Sequence, residues 1–267
     1  MKTICSSIIL FFLCSTASAE VTSSLWTVKK SEHFVVYYKE APAGYVEDLL
    51  NQAEKYYHSI VSDLGFTRFD DFWTWDNRCK IYLFTSTKDY HKTTGQPEWS
   101  GGCANILTRT INTFLYERDF NETVLPHEMT HLIFREFIGY RVELPLWLDE
   151  GIACFQEKKH LNERLMTAEG LIISGLYMPL ERLTEIQPTQ IVMPSIFYAQ
   201  ASSIIEFLFK QYGRDKFVDF CRVLRDKKDW KFALRSVYGF KSLSEMNDAW
   251  VGFWSQDSDT LRKIRGR

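Results

Sequence analysis

Long apolar runs are scarce in this 267-residue chain. Outside its first 19 residues no stretch carries eighteen consecutive apolar side chains, which excludes a spanning helix of ordinary length there. Proline and glycine are few, 7 and 13, too few for a low-complexity or disordered protein. No C-x-x-C pair occurs, so a cysteine-built structural zinc cluster is not expected. Charge of one sign is lacking as well. One of the 32 basic residues, Lys2, lies in the leader described next, leaving 31 against 34 acidic residues and a formal charge of −3. That balance argues against a nucleic-acid partner. The basic ending Arg262-Lys263-Ile264-Arg265-Gly266-Arg267 reads as a solvated tail.

What is present begins with Met1-Lys2, the apolar run Ile8 to Leu13, and Ala17-Ser18-Ala19. A positive start, a short greasy core and an A-x-A cleavage signal predict a signal peptide over residues 1–19. The run is too short for an anchor, and Leu13 before Cys14 does not suit lipidation. The expected location is secreted or periplasmic, without stable membrane insertion. Four cysteines follow, Cys79, Cys103, Cys154 and Cys221, for which either disulfides or buried thiols are open.

The length suits one large domain or two closely packed lobes. Residues 33–38, 80–84 and 110–116 read as strands from their β-branched and aromatic content. From Tyr45 to Leu64 apolar residues recur at three- and four-residue steps, and Gly65 closes the run, predicting a helix. After Asn121 the pattern is helical, near 123–138, 145–158, 196–212, 214–226, 230–237 and 243–256. The expected class is α+β, with an N-terminal α/β lobe over 20–120 and a helical lobe over 121–267. The aromatic segment from Phe69 to Trp75 suits core packing, or alternatively a substrate groove.

Chemistry concentrates in Pro126-His127-Glu128-Met129-Thr130-His131. Two histidines four apart on a helix differ by about 40° in direction and one turn in height, so both can reach one metal. Glu128 lies about 100° round from His127, where it can face a metal-bound water without being a ligand. Asn121 or Thr123 would cap this helix, and Pro126 falls in its first turn. Zinc needs a third protein donor, for which Glu150 is the candidate, in Leu146-Trp147-Leu148-Asp149-Glu150-Gly151. Pro145 suits the start of that second helix, and Gly151 would let it approach the first closely. A class with a third histidine six residues after His131 and a glycine three after it is excluded, because Phe137 and Phe134 stand there. His33, His58, His91 and His160 lack metal-like spacing and read as surface or packing residues.

H-E-x-x-H, eighteen residues, then Glu within W-L-x-E-G-x-A resembles the gluzincin zinc metallopeptidases, the aminopeptidase N type and smaller thermolysin-like relatives. The resemblance implies a thermolysin-like fold with the active-site cleft between its lobes and one Zn²⁺ on His127, His131 and Glu150. It implies Glu128 as catalytic base and peptide or protein substrates. Residues 197–208, ending at Tyr212-Gly213, are similar to that family's Y-x-K-G-A-x-x-L helix, which implies that Tyr198 stabilises the transition state. Glu157 matches a Glu common in the family, either supporting a ligand or facing solvent. One departure matters. Where the aminopeptidases have G-x-M-E-N, this chain reads Gly101-Gly102-Cys103-Ala104-Asn105, so the Glu that grips a free amino group is Ala104 and strict aminopeptidase activity is not expected. The alternative is a zinc-binding protein without turnover that holds a peptide or cell-envelope partner.

Overall fold

The computed structural model describes residues 26–66, 73–98, 100–115, 117 and 120–265. The expected signal peptide lies outside the described residues, as do Phe69 to Phe72 of the aromatic segment. The class is α+β, as the pattern predicts: a mixed five-stranded sheet comes first and a helical part follows. The chain divides into two compact units, residues 1–136 and 137–267.

The first unit holds β1 (Thr27–Lys30), β2 (Phe34–Tyr38), β3 (Cys79–Phe84), β4 (Gly102–Asn105) and β5 (Thr110–Phe114), in the order β1-β2-β3-β5-β4. β2, β3 and β5 run parallel, while β1 and β4 pair antiparallel at the two edges. Of the parallel strands β2, FVVYY, is apolar throughout, β3 is so apart from Lys80, and β5, TINTF, buries Thr110 and Thr113 beside Ile111 and Phe114. α1 (Tyr45–Asp63) forms the crossover from β2 to β3 and buries Val46, Leu49, Leu50, Ala53, Tyr57, Ile60 and Val61, the stripe read from the sequence. Two elements escape a reading by pattern. The exposed β1, sequence TVKK, has no apolar face, and α2 (Thr87–Thr94) buries only Tyr90 and Thr94. α2 is instead specified at its ends: Ser86 accepts from the Asp89 N–H, and Gly95 closes it at φ 69°.

The motif helix α3 (Leu125–Ile138) departs from expectation at its start. Neither Asn121 nor Thr123 caps it. A π-helical turn over Phe120–Val124 leads straight into it, so its first N–H groups continue an existing helical path. Gly102 belongs to this junction, since a Cβ there would stand 2.7 Å from Val124 Cγ1. Further along α3, Glu136 accepts from Trp73 Nε1 at 3.2 Å and from Arg109 Nε at 2.6 Å. Trp73 is thus a packing residue, whereas Trp75 is 80% exposed.

The second unit comprises α4 (Leu146–Gln156), α5 (Lys158–Ile173), α6 (Leu180–Glu185), α7 (Pro194–Tyr212), α8 (Arg214–Lys227), α9 (Trp230–Tyr238) and α10 (Leu243–Arg265). α7 is its central rod, packed against α4 and α5 and buried continuously from Phe197 to Ile205. α5 and α6 are additions to the expected set. α5 buries only Ala168 and Ile172, too little to print a periodic stripe. Among the described residues no helix is long and apolar enough to cross a membrane. Cys79, Cys103, Cys154 and Cys221 are all buried, and none of the four forms a disulfide.

Candidate metal centre

In the first unit, the turn of α3 from His127 to His131 carries the polar groups into the interior. His127 and His131 are each 1% exposed and Glu128 is 2% exposed, among Leu125, Met129, Leu132 and Ile133. The two imidazoles meet edge to face at 74°, with their Nε2 atoms 3.1 Å apart. Two nitrogens on a tetrahedral zinc at its usual bond length stand about 3.3 Å apart. The donor pair therefore fits a first-row divalent ion, with imidazole suiting zinc and its neighbours. Thr130 Oγ1 donates to the Pro126 carbonyl at 2.6 Å and satisfies an acceptor in the first turn.

Tyr90, which the sequence does not single out, lies close enough to Glu128 to feel its charge. Burial first, then Cys103 and Glu128, push the Tyr90 hydroxyl well above the ordinary phenol range. It stays protonated, exchanging a 2.9 Å hydrogen bond with Ser100 Oγ, and Ser100 Oγ donates to the Gly102 carbonyl at 3.0 Å. No sequence signal could have found it, because the contact joins α2 to a helix thirty-odd residues on.

In the second unit, Glu150 is 1% exposed on α4, the fifth residue of that helix, which Pro145 opens. The close approach that Gly151 permits is to α7: a Cβ there would lie 2.6 Å from the Ala201 carbonyl oxygen. Through this contact α4 and α7 bring Glu150 and Tyr198 into one neighbourhood. Burial is the main reason the Tyr198 hydroxyl sits well above its ordinary value, and the charges of Glu150, Cys154 and Glu157 raise it further against Arg164. Tyr198 is therefore a hydrogen-bond donor, not a phenolate, throughout the neutral range.

Glu157 is buried and so does not face solvent. Arg164 Nη2 donates to its Oε2 at 2.7 Å, and Arg164 Nη1 donates to the Cys154 carbonyl at 3.2 Å. Because Tyr198 feels both charges, the pair belongs to the same interior neighbourhood as Glu150. Arg164 is the second residue that the sequence leaves unmarked; its i+7 spacing from Glu157 crosses a break between two helices and mimics no motif.

Among the described residues β4, which carries Ala104, lies at one edge of the sheet and pairs with β5. Ala104 and Cys103 are buried and Asn105 is partly exposed.

No curated protein compared with the chain matches it. The family model of the peptidase MA superfamily does, over residues 73–256, a span that takes in α3, α4, α5 and α7. Two buried histidines a helical turn apart, with a carboxylate beside the first, are what a zincin-like metallopeptidase requires, and the chain belongs to the peptidase MA superfamily.

Proposed function

We propose that this protein is an exported zinc peptidase of the gluzincin type. Residues 1–19 are its leader, and residues 20–120 and 121–267 make one catalytic unit. His127 and His131 hold the ion with Glu150 as the third donor, Glu128 is the general base, and Tyr198 is the oxyanion donor. The observation that carries this reading is the 3.1 Å separation of the two Nε2 atoms on a buried turn that also holds Glu128.

When bound, the zinc supplies a Lewis acid and lowers the pKa of a coordinated water to about 7. Glu128 takes the proton of the attacking water and returns it to the leaving amine. Tyr198, kept protonated by burial and by its acidic neighbours, donates to the oxygen on which negative charge develops. Embedding these groups in apolar residues strengthens each of those interactions. An extended peptide would pair along the edge strand β4, and Ala104 offers nothing to a free amino terminus. Strict aminopeptidase activity is not expected.

The test pairs metal analysis with hydrolysis of a peptide library. Glu128→Gln retains one zinc per catalytic site and loses most activity; His131→Ala loses both. Undiminished hydrolysis by Glu128→Gln would exclude Glu128 as base.

A further inference from the structure

A second cluster of metal-type donors lies in the first unit, before the span that the family model matches. Glu54 and His58 stand four apart on α1 and so share a face. His33 precedes β2 and reaches the same place. Its backbone N–H donates to Glu54 Oε1 at 2.9 Å, and its Nδ1 lies 2.6 Å from Glu54 Oε2. The His33 ring stacks on Tyr57 at 4.0 Å and meets the His58 ring edge-on at 5.4 Å. One donor atom from each of the three residues lies within 4.8 Å of the other two.

A hydrogen-bonded histidine–carboxylate pair needs only His33 and Glu54. The structure adds a second imidazole, and it grades the cluster from core to solvent: His33 is buried, Glu54 partly buried and His58 exposed. That gradient gives two donors fixed by packing and a third that can swing. Reaching the roughly 3.3 Å spacing of zinc ligands takes a rotamer change at the exposed His58 and a widening of the 2.6 Å His33–Glu54 contact by several tenths of an ångström. Spacing along the chain does not reveal the group, since His33 comes from a different element than Glu54 and His58.

We propose that His33, Glu54 and His58 form a second metal site, for zinc or a similar first-row divalent ion, that clips α1 to the start of β2. Two imidazoles and a carboxylate are a donor set for such ions rather than for calcium or magnesium, which take oxygen ligands. An ion bound there favours the folded state by mass action, because the three donors converge only in it. The site is independent of the proposed catalytic centre and shares no residue with it.

The experiment counts metal in untagged protein, stripped with chelator and then dialysed against zinc at neutral pH. Wild type is compared with His58→Ala and Glu54→Gln. Each variant holds one equivalent less than wild type, whatever the wild-type total. A fall from two to one supports both sites, and a fall from one to none supports this site while removing the catalytic proposal. Equal metal in wild type and His58→Ala overturns the inference. A second measurement needs no variant: saturating zinc protects His58 of the native protein at least tenfold from an acylating imidazole reagent, read by peptide mass spectrometry. Unchanged labelling also overturns it.

Discussion

Arg164 donates to Glu157 at 2.7 Å, joining a carboxylate that is almost wholly buried to a guanidinium that is partly so. Removing one partner leaves the other charge in a poorly solvated place, which typically costs about 3–5 kcal/mol. Arg164→Leu is therefore expected to lower unfolding stability by roughly that amount, whereas Arg222→Leu, which breaks an exposed pair with Asp219, shifts it by less than about 1 kcal/mol. Urea unfolding of the two variants side by side checks the contrast.

The glycines of the second unit give opposite signs. At Gly151 a methyl group would meet the Ala201 backbone at 2.6 and 3.0 Å, and backbone of a buried helix has nowhere to go. Gly151→Ala should destabilise by about 1–3 kcal/mol through overpacking, and it should disturb Glu150, its neighbour on α4. At Gly170, within α5, a Cβ meets nothing within 4 Å, so Gly170→Ala should stabilise by about 0.4–1 kcal/mol. Thermal melts of the pair read the two directions.

The elements legible in the sequence are those that bury a stripe or a run. α1 prints its core face at three- and four-residue steps, and His127, Glu128 and His131 declare themselves because helix geometry converts their spacing into one face. β1, α2 and α5 are illegible for the converse reason: they bury two residues or fewer, and caps and tertiary contacts hold them. The start of α3 misleads because Asn121 and Thr123 are cap-type residues inside a π-helical turn, which no local preference announces. The surroundings of the site follow the same division. Glu150 and Tyr198 come from motifs, whereas Tyr90 and Arg164 become visible only as neighbours in space.

Tyr198 should separate binding from turnover. Its hydroxyl is held protonated by burial and by Glu150, Cys154 and Glu157, so in the proposed role it donates only as charge develops on the substrate oxygen. Tyr198→Phe keeps the ring that packs in α7 and removes only the donor. The expected result is a fall in kcat of about 10²–10³ with KM changed by less than the fall in kcat, and unchanged metal content. A variant with wild-type kcat would leave Tyr198 as a core residue.

The Glu54–His33 contact predicts an acid-dependent share of stability. Burial raises the Glu54 carboxyl, but hydrogen bonds from the His33 backbone and ring, together with the His33 charge, outweigh it and hold the carboxyl below its ordinary value. A depressed carboxyl binds fewer protons folded than unfolded, so stability rises with pH while the unfolded group titrates. Its contribution is complete above about pH 5 and disappears as pH falls through the folded value. Glu54→Gln cannot ionise and lacks this contribution. In metal-free protein, the wild-type advantage over Glu54→Gln should therefore be present at about pH 5.5 and shrink progressively toward about pH 3, measured by urea unfolding at each pH. An advantage that persists undiminished at the acid end would mean that packing around Glu54, not its charge, holds α1 to His33.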